Sequence, residues 1–329
     1  MNAAYSVRTP IGVGAIAAID LVGDVAGALG ALNIGHVLVG EVALRDLCGV
    51  DQGVLARWSE RSCTLMPHGG SAVVRSLCVA LEAAGIAQAE PLPIDAFPEA
   101  GDEIEAMALI AIARTESPRA VDLLLNQSRR WRAWTGGAFP EAMRVRSAVL
   151  DRMLTPPVVA AVGATNIGKS SLLNALARRE VSIAHDAPGV TTDHVGATLV
   201  LDGVAVRWLD LPGIFAERPS EDDASRAALH AAQQADLLVL CADFESDWID
   251  PTSLGIDRPE ITVLRVGLRA DLGPVPGAGV MTSAARSEGL DELAVEVRRS
   301  LIRDEYLADP GPWIFDRRLT PPGPAIVRP

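Results

Sequence analysis

The stretch Gly163-Ala164-Thr165-Asn166-Ile167-Gly168-Lys169-Ser170 is a complete G-x-x-x-x-G-K-S phosphate-binding loop. It constrains the fold more than anything else in the chain. Such a loop works only between a buried strand and the first turn of a helix, where backbone N–H groups and the helix N-terminus converge on an anion. Both neighbours are legible. Val158 to Val162 is a short, continuously apolar run, as a buried parallel strand should be. Ser170 to Ala177 follows with good helix formers and apolar spacing of three to four. Lys169 is the only lysine among 29 basic residues, the rest being arginine. A compact ammonium slips between β- and γ-phosphates where a broad guanidinium fork does not. The expected nucleotide contacts here are Gly163, Asn166, Ile167, Gly168, Lys169, Ser170 and Ser171, with the Ser170 hydroxyl placed to hold Mg²⁺.

Around that loop, 329 residues leave room for two or three domains with a substantial core. A formal net charge of −13 is the wrong sign for a protein that grips nucleic acid through its overall field. Cys48, Cys63, Cys78 and Cys241 are scattered without C-x-x-C spacing and read as reduced core residues. The most membrane-like stretch, Ile11 to Leu32, contains Asp20, Asp24 and five glycines and lacks a basic flank. Neither a transmembrane helix nor a signal peptide is expected, so the cytoplasm is the default location and no membrane partner is implied.

Four segments are expected. Residues 1–95 mix short apolar runs with helical patches such as Ser71 to Ala84, an N-terminal α+β domain that ends near Pro91-Leu92-Pro93. Residues 96–154 read as a short helical segment of two helices and a turn. Ile104, Met107, Ala108, Ala111 and Ile112 share one face; Val121, Leu124 and Leu125 begin another; Thr135-Gly136-Gly137 interrupts. Residues 155–305 alternate strand and helix. Asp202-Gly203 makes a hairpin turn, further strands lie at Leu237 to Cys241, Ile261 to Val266 and Val280 to Thr282, and helices lie near Ser220 to Gln234 and Gly289 to Arg303. Residues 306–329 form a tail with six prolines after Ala308, expected to be irregular. The fold class is α/β, a P-loop domain with a mixed, mostly parallel sheet flanked by helices.

Two further segments fit the phosphate loop. Pro188 to Asp193 is turn-rich, and Thr191 supplies a candidate second hydroxyl for Mg²⁺. Asp210-Leu211-Pro212-Gly213 closes a hairpin strand about forty residues past the lysine; Asp210 can hold Mg²⁺ through water and the Gly213 N–H can meet the γ-phosphate. These elements resemble the translation-factor-like small GTPases, in which N-K-x-D reads the base. The matching stretch is Leu268-Arg269-Ala270-Asp271, and Ser283-Ala284-Ala285 resembles the S-A-K/R segment. By that resemblance Asp271 pairs with the guanine N1 and N2 hydrogens, Arg269 lays its stem on the base, and the Ser283–Ala284 backbone touches it. Leu268 departs from the pattern, and an amide lost there costs ~1–3 kcal/mol, roughly one to two decades in affinity.

A narrower resemblance is to the bacterial tRNA-modifying GTPases called MnmE or TrmE. It rests on Asn166 within the loop, Ser170 to Leu176, Thr9-Pro10-Ile11-Gly12-Val13-Gly14-Ala15-Ile16, Pro67-His68-Gly69-Gly70, and Glu103 to Glu116. It implies potassium-activated GTP hydrolysis with Asn166 as potassium ligand, a dimerising N-terminal domain that binds a formyl-tetrahydrofolate, and a helical domain split by the GTPase domain. It also implies a catalytic glutamate after D-x-x-G, with Glu221 nearest by spacing and Asp222 as the alternative. The family's P-G-E-F-[ST]-x-R-A-F stretch has no counterpart, and its C-terminal helices and C-x-G-K motif are missing before Pro329. Those departures put folate binding and tRNA chemistry in question and leave the GTPase set.

Arg129-Arg130-Trp131-Arg132-Ala133-Trp134, with Arg144 and Arg146, is open to two readings: an RNA-gripping patch, or a helix with a solvated face and buried tryptophans. His68, His185 and His194 lack ligand-like spacing. Beside the MnmE-type GTPase with a tRNA-modification partner stand two alternatives, a non-hydrolysing nucleotide-dependent module and an Era-type ribosome-assembly GTPase.

Overall fold

The computed structural model describes residues 2–9, 14–89, 97, 99–135, 139–179, 195–211, 230, 232–256, 258 and 261–319. Two compact units divide the chain, Met1–Ala113 and Arg114–Pro329.

Among the described residues the first unit is a six-stranded sheet with three helices. Its strands are β1 (Ala3–Val7), β2 (Ile19–Gly23), β3 (Val42–Leu47), β4 (Asp51–Arg57), β5 (Ser62–Met66) and β6 (Ala87–Gln88), and they lie in the order β3-β4-β5-β2-β1-β6. All pairs are antiparallel except β1 with β6. Helices α1 (Val25–Ala31) and α2 (Ser71–Ala83) bring Val25, Leu29, Leu77 and Leu81 onto Tyr5, Ile19, Leu21, Leu55 and Leu65, and this is the core. Asp24 caps α1 by accepting from the Gly27 N–H at 2.9 Å. Helix α3 (Glu103–Arg114) closes the unit, with Ala106 and Ile110 packed on Val22 and Phe97.

The second unit opens with helices α4 (Pro118–Leu125), α5 (Gln127–Ala133) and α6 (Glu141–Leu150), then a 3₁₀ turn at Asp151–Met153. The sequence suggested two helices over 96–154. Among the described residues four α-helices form instead, counting α3, because Pro118 is favoured in a first turn and starts a new helix, and Asn126 breaks the next one. The apolar face of α4 is also shifted: Ala120, Leu123 and Leu124 are buried, while Leu125 is 61% exposed.

A second six-stranded sheet follows, from β7 (Val158–Gly163), β8 (Val195–Leu201), β9 (Val204–Asp210), β10 (Leu237–Ala242), β11 (Thr262–Gly267) and β12 (Val280–Met281), in the order β12-β11-β10-β7-β9-β8. Only the β8–β9 pair is antiparallel. Every residue of β10 is buried, which explains its unbroken Leu-Leu-Val-Leu-Cys-Ala run. Among the described residues, helices α7 (Lys169–Arg179), α8 (Leu290–Leu301) and α9 (Asp304–Ala308) follow, and the helix expected near Ser220 to Gln234 lies mostly outside them.

The β8–β9 hairpin turns at Asp202 (φ 45°) and Gly203 (φ 78°), the left-handed pair of a type I′ turn. Its tip is latched. Asp202 accepts from Arg298 Nε at 2.8 Å and Arg119 Nη2 at 2.6 Å, and Arg119 Nε donates to the Asp202 carbonyl at 2.9 Å.

After α9 residues 309–316 form no helix or strand, a 3₁₀ turn follows at Arg317–Leu319, and residues 309–315 are packed. Trp313 is fully buried, donating its N–H to Gln127 Oε1 at 2.8 Å and its indole Nε1 to Asp151 at 3.0 Å. Arg146, 3% exposed, donates to the carbonyls of Tyr306, Asp309, Gly311 and Pro312. Arg130 donates to those of Asp309 and Gly311, and Trp131 Nε1 to that of Trp313. Part of the arginine–tryptophan patch thus fastens the chain's own later segment. Among the described residues no helix is long and apolar enough to cross a membrane.

Candidate nucleotide site

The C-terminal ends of β7, β9, β10 and β11 converge on one edge of the second sheet, where open parallel sheets place their ligands. Gly163 ends β7 where no side chain fits: a Cβ there would lie 2.5 Å from the Cys241 carbonyl oxygen and 2.7 Å from Ile167 Cδ1. The loop then turns through left-handed backbone at Asn166 (φ 62°) and Gly168 (φ 108°) before α7 begins at Lys169. Alternating left-handed residues turn successive N–H groups into one concavity, and the helix N-terminus adds its positive end.

Lys169 is 7% exposed, and its Nζ donates to the carbonyls of Gly163 at 3.1 Å and Ala164 at 2.8 Å. Burial pulls its ammonium below the ordinary lysine value, and Asp210 opposes that shift. Ser170 Oγ donates to Asp210 Oδ2 at 2.5 Å, so the loop hydroxyl and the carboxylate ending β9 meet. Asp210 Oδ1 is buried with no hydrogen-bond partner among the described residues. A hydroxyl oxygen, a carboxylate and an unsatisfied buried oxygen suit a hard oxygen-seeking cation, so these residues fit Mg²⁺.

The residues expected to read a base lie across the loop. A cavity of about 230 Å³ is lined by Ile167, Gly168, Leu172, Leu268, Asp271 and Ala284, among others. Leu268 is 3% exposed, with its N–H on the Ala242 carbonyl at 2.8 Å. Asp271 Oδ1 accepts from Ser283 Oγ at 2.6 Å, and that bond holds the carboxyl below the usual aspartate value. Arg269 (φ 53°) reaches back to the phosphate loop, donating from Nη2 to the Asn166 carbonyl and from Nη1 to Asp243 Oδ2 at 3.1 Å. Asp243, 4% exposed, was not singled out from the sequence; its signal is an acidic residue directly after the apolar strand β10.

Gly163, Asn166, Ile167, Gly168, Lys169, Ser170, Ser171, Asp210, Arg269, Asp271, Ser283 and Ala284 therefore come together at this edge. Thr191, Gly213, Glu221 and Asp222 lie outside the described residues. Cys241, beneath Gly163 at the end of β10, is buried, and burial pushes its thiol up to about 12.

Residues 158–265 match the family model described as 50S ribosome-binding GTPase. The second unit has the P-loop GTPase fold. Its region is similar to proteins named tRNA modification GTPase MnmE: 37% identity over 185 residues with that of Acidiphilium cryptum (strain JF-5), covering 54% of this chain and 38% of the relative. The protein of that name from Synechocystis sp. (strain ATCC 27184 / PCC 6803 / Kazusa) is 39% identical over 148 residues, covering 41% of this chain and 32% of the relative. The chain thus spans about a third of the length of these relatives. Among solved structures, Aquifex aeolicus Era bound to GDP·AlF4⁻ aligns at TM-score 0.34 and 26% identity, over 44% of this chain and 56% of that one. Asp243, Leu268 and Asp271 in this GTPase domain sit within or just beyond the matched span.

Proposed function

We propose that the protein is a Mg²⁺-dependent, potassium-stimulated GTP hydrolase of the MnmE kind, acting in the cytoplasm in tRNA wobble-uridine modification. The observation that carries the nucleotide part is the Ser170–Asp210 contact beside the buried Lys169, with Asp210 Oδ1 left open. The similarity to MnmE proteins supports the tRNA part.

In this reading residues 155–305 are the GTPase module, with 1–95, 96–154 and 306–329 as its accessory segments. The N–H groups from Gly163 to Ser171 cradle the phosphates, and Lys169 turns its ammonium from the loop carbonyls onto the β- and γ-oxygens. Ser170 and Thr191 ligate Mg²⁺, and Asp210 supports it. When bound, the metal neutralises charge on the β- and γ-phosphates. Gly213 donates its N–H to the γ-phosphate. Glu221 orients a water whose oxygen attacks the γ-phosphorus as the β–γ bridging bond breaks, leaving GDP and phosphate. Asn166 would hold K⁺, which when bound would offset negative charge at the phosphoryl group. Asp271 reads guanine, with Arg269 and the Ser283–Ala284 backbone beside the base. The first unit forms a homodimer, with a tRNA-modification partner or RNA as the further ligand; formyl-tetrahydrofolate is left out of this reading.

Turnover of GTP measured in potassium and in sodium, with ATP as competitor, tests it. Faster hydrolysis in potassium and indifference to ATP are expected. Tight GTP binding without turnover in either salt would mark a non-hydrolysing module. Complementation of a strain lacking wobble-uridine modification tests the tRNA role.

A further inference from the structure

An edge strand leaves a row of backbone N–H and C=O groups without strand partners, and folded chains usually shorten, charge or cover it. Among the described residues of the first unit one such edge is β3, outermost in the order β3-β4-β5-β2-β1-β6. The chain running into and along it is apolar on the outside: Leu38, Val39, Val42 and Leu44 are 46–65% exposed. Strand pairing sets Leu44 beside Val54 of β4, and Val54 beside Met66 of β5. Because side chains alternate along a strand, these three lie on the sheet face opposite the one that packs Leu55 and Leu65 under α1 and α2. The apolar surface therefore runs inward from the edge.

The backbone of β3 is also set for a further strand. The Arg57 N–H donates to the Glu41 carbonyl at 3.0 Å. By alternation Ala43 and Arg45 then turn their backbone groups to β4, while Val42, Leu44 and Asp46 turn theirs to the open edge.

The residues of this edge select its occupant. Glu41-Val42-Ala43-Leu44-Arg45, laid antiparallel on itself about Ala43, sets Val42 against Leu44, Glu41 against Arg45 and Ala43 against Ala43. The same register brings the outward N–H and C=O groups of Val42 and Leu44 onto each other. Centring the pair on Leu44 would instead set Val42 against Asp46 and Glu41 against Leu47. A two-fold interface requires one patch that complements itself. Within one chain Arg45 donates to the carbonyls of Leu44 at 3.0 Å and His36 at 3.3 Å, and Glu41 Oε2 accepts from the Leu38 N–H at 2.8 Å. The two side chains approach each other only loosely, at 3.8 Å, so both charges are open to a facing copy.

We infer that β3 is a dimerisation edge, to which a second copy of this chain adds its own β3 antiparallel and centred on Ala43, joining two six-stranded sheets into one. This rests on the homodimer of the reading above and names the surface that forms it.

Light scattering after gel filtration tests it on the full chain, for wild type, Leu44→Glu and Leu44→Thr. Leu44 lies outside the core of the unit, so circular dichroism should be unchanged in both variants. The wild type should be a dimer at micromolar concentration, and Leu44→Glu should weaken it about tenfold or more, since the two-fold axis sets the new charge against Val42 twice. If Leu44→Glu loses its fold, Leu44→Thr decides, with a weakening of about threefold or more expected. Oxidation by copper–phenanthroline tests the register. Ala43→Cys should give covalent dimer above the wild-type level, because Cα atoms of a facing, non-hydrogen-bonded pair lie about 4.5 Å apart, within disulfide reach. Leu44→Cys faces Val42 and should not. A monomeric wild type would overturn both this inference and the homodimer. A dimer untouched by the Leu44 substitutions, or one cross-linked by Leu44→Cys and not by Ala43→Cys, would overturn the β3 assignment and leave the homodimer standing.

Discussion

Asp202 at the tip of the β8–β9 hairpin is a point where one substitution should be felt across the second unit. Its carboxylate receives Arg298 Nε at 2.8 Å on one oxygen and Arg119 Nη2 at 2.6 Å on the other. Arg298 is 4% exposed, and in Asp202→Ala it keeps only Asp304 at 2.5 Å and the Ile302 carbonyl at 3.2 Å. It is not stranded, so the cost falls below the ~3–5 kcal/mol of a broken buried pair. One charge-assisted hydrogen bond to that buried guanidinium is worth about 1.5–3 kcal/mol. The Arg119 contact adds less, because its side chain is 38% exposed and solvent screens it. Alanine must also adopt the left-handed φ of 45°, which costs roughly another 1–2 kcal/mol. Together these give roughly 3–5 kcal/mol. Asp202→Asn keeps the turn and one acceptor oxygen, so about 1–1.5 kcal/mol is expected. Urea unfolding followed by the fluorescence of Trp208, fully buried in β9, measures both variants. If Asp202→Ala unfolds within about 0.5 kcal/mol of wild type, or if asparagine costs as much as alanine, the latch reasoning is wrong.

Gly163→Ala pushes a methyl group into the Cys241 carbonyl, which belongs to strand backbone and cannot swing aside. GTP affinity by calorimetry should fall about tenfold or more, and an unchanged constant would contradict the close approach. Ser283→Ala removes the bond that holds Asp271 below the usual carboxylate range. In the proposed reading the ionised form pairs with the base, so the acid limb of a GDP-binding profile should move to higher pH; no shift would show that Ser283 does not set it. Cys63 and Cys241 have thiols pushed up to about 12 by burial and should resist a thiol reagent at pH 8 until denaturant is added. Mass spectrometry after native labelling checks this, and early modification of Cys241 would contradict its place in the sheet.

Features written in a few adjacent residues were legible from the sequence. The phosphate loop, its flanking strand and helix, and the Asp202-Gly203 turn depend on local backbone chemistry, and each lies where the residue pattern puts it. The breaks at Pro118 and Asn126 were missed because apolar spacing continues across them, while a proline and an asparagine that already meets its own turn reset the helix. Long-range partnerships were not legible at all. Nothing in Arg146 or Gln127 announces that their partners stand about 160 to 190 residues later, on the segment around Trp313. At the site, residue types pointed to side chains that the fold brings to one edge, but the use of Arg269 as a brace to Asp243 appears only when β10 and β11 are paired.

In the proposed function the loop around Lys169 binds and cleaves GTP with Mg²⁺. Single-turnover hydrolysis of γ-labelled GTP in potassium, with and without Mg²⁺, measured for wild type beside Lys169→Ala and Ser170→Ala, tests it most directly. Phosphate release should require Mg²⁺ in the wild type and fall by about two orders of magnitude or more in both variants. Release that is independent of Mg²⁺, or unchanged when Lys169 becomes alanine, would contradict the account.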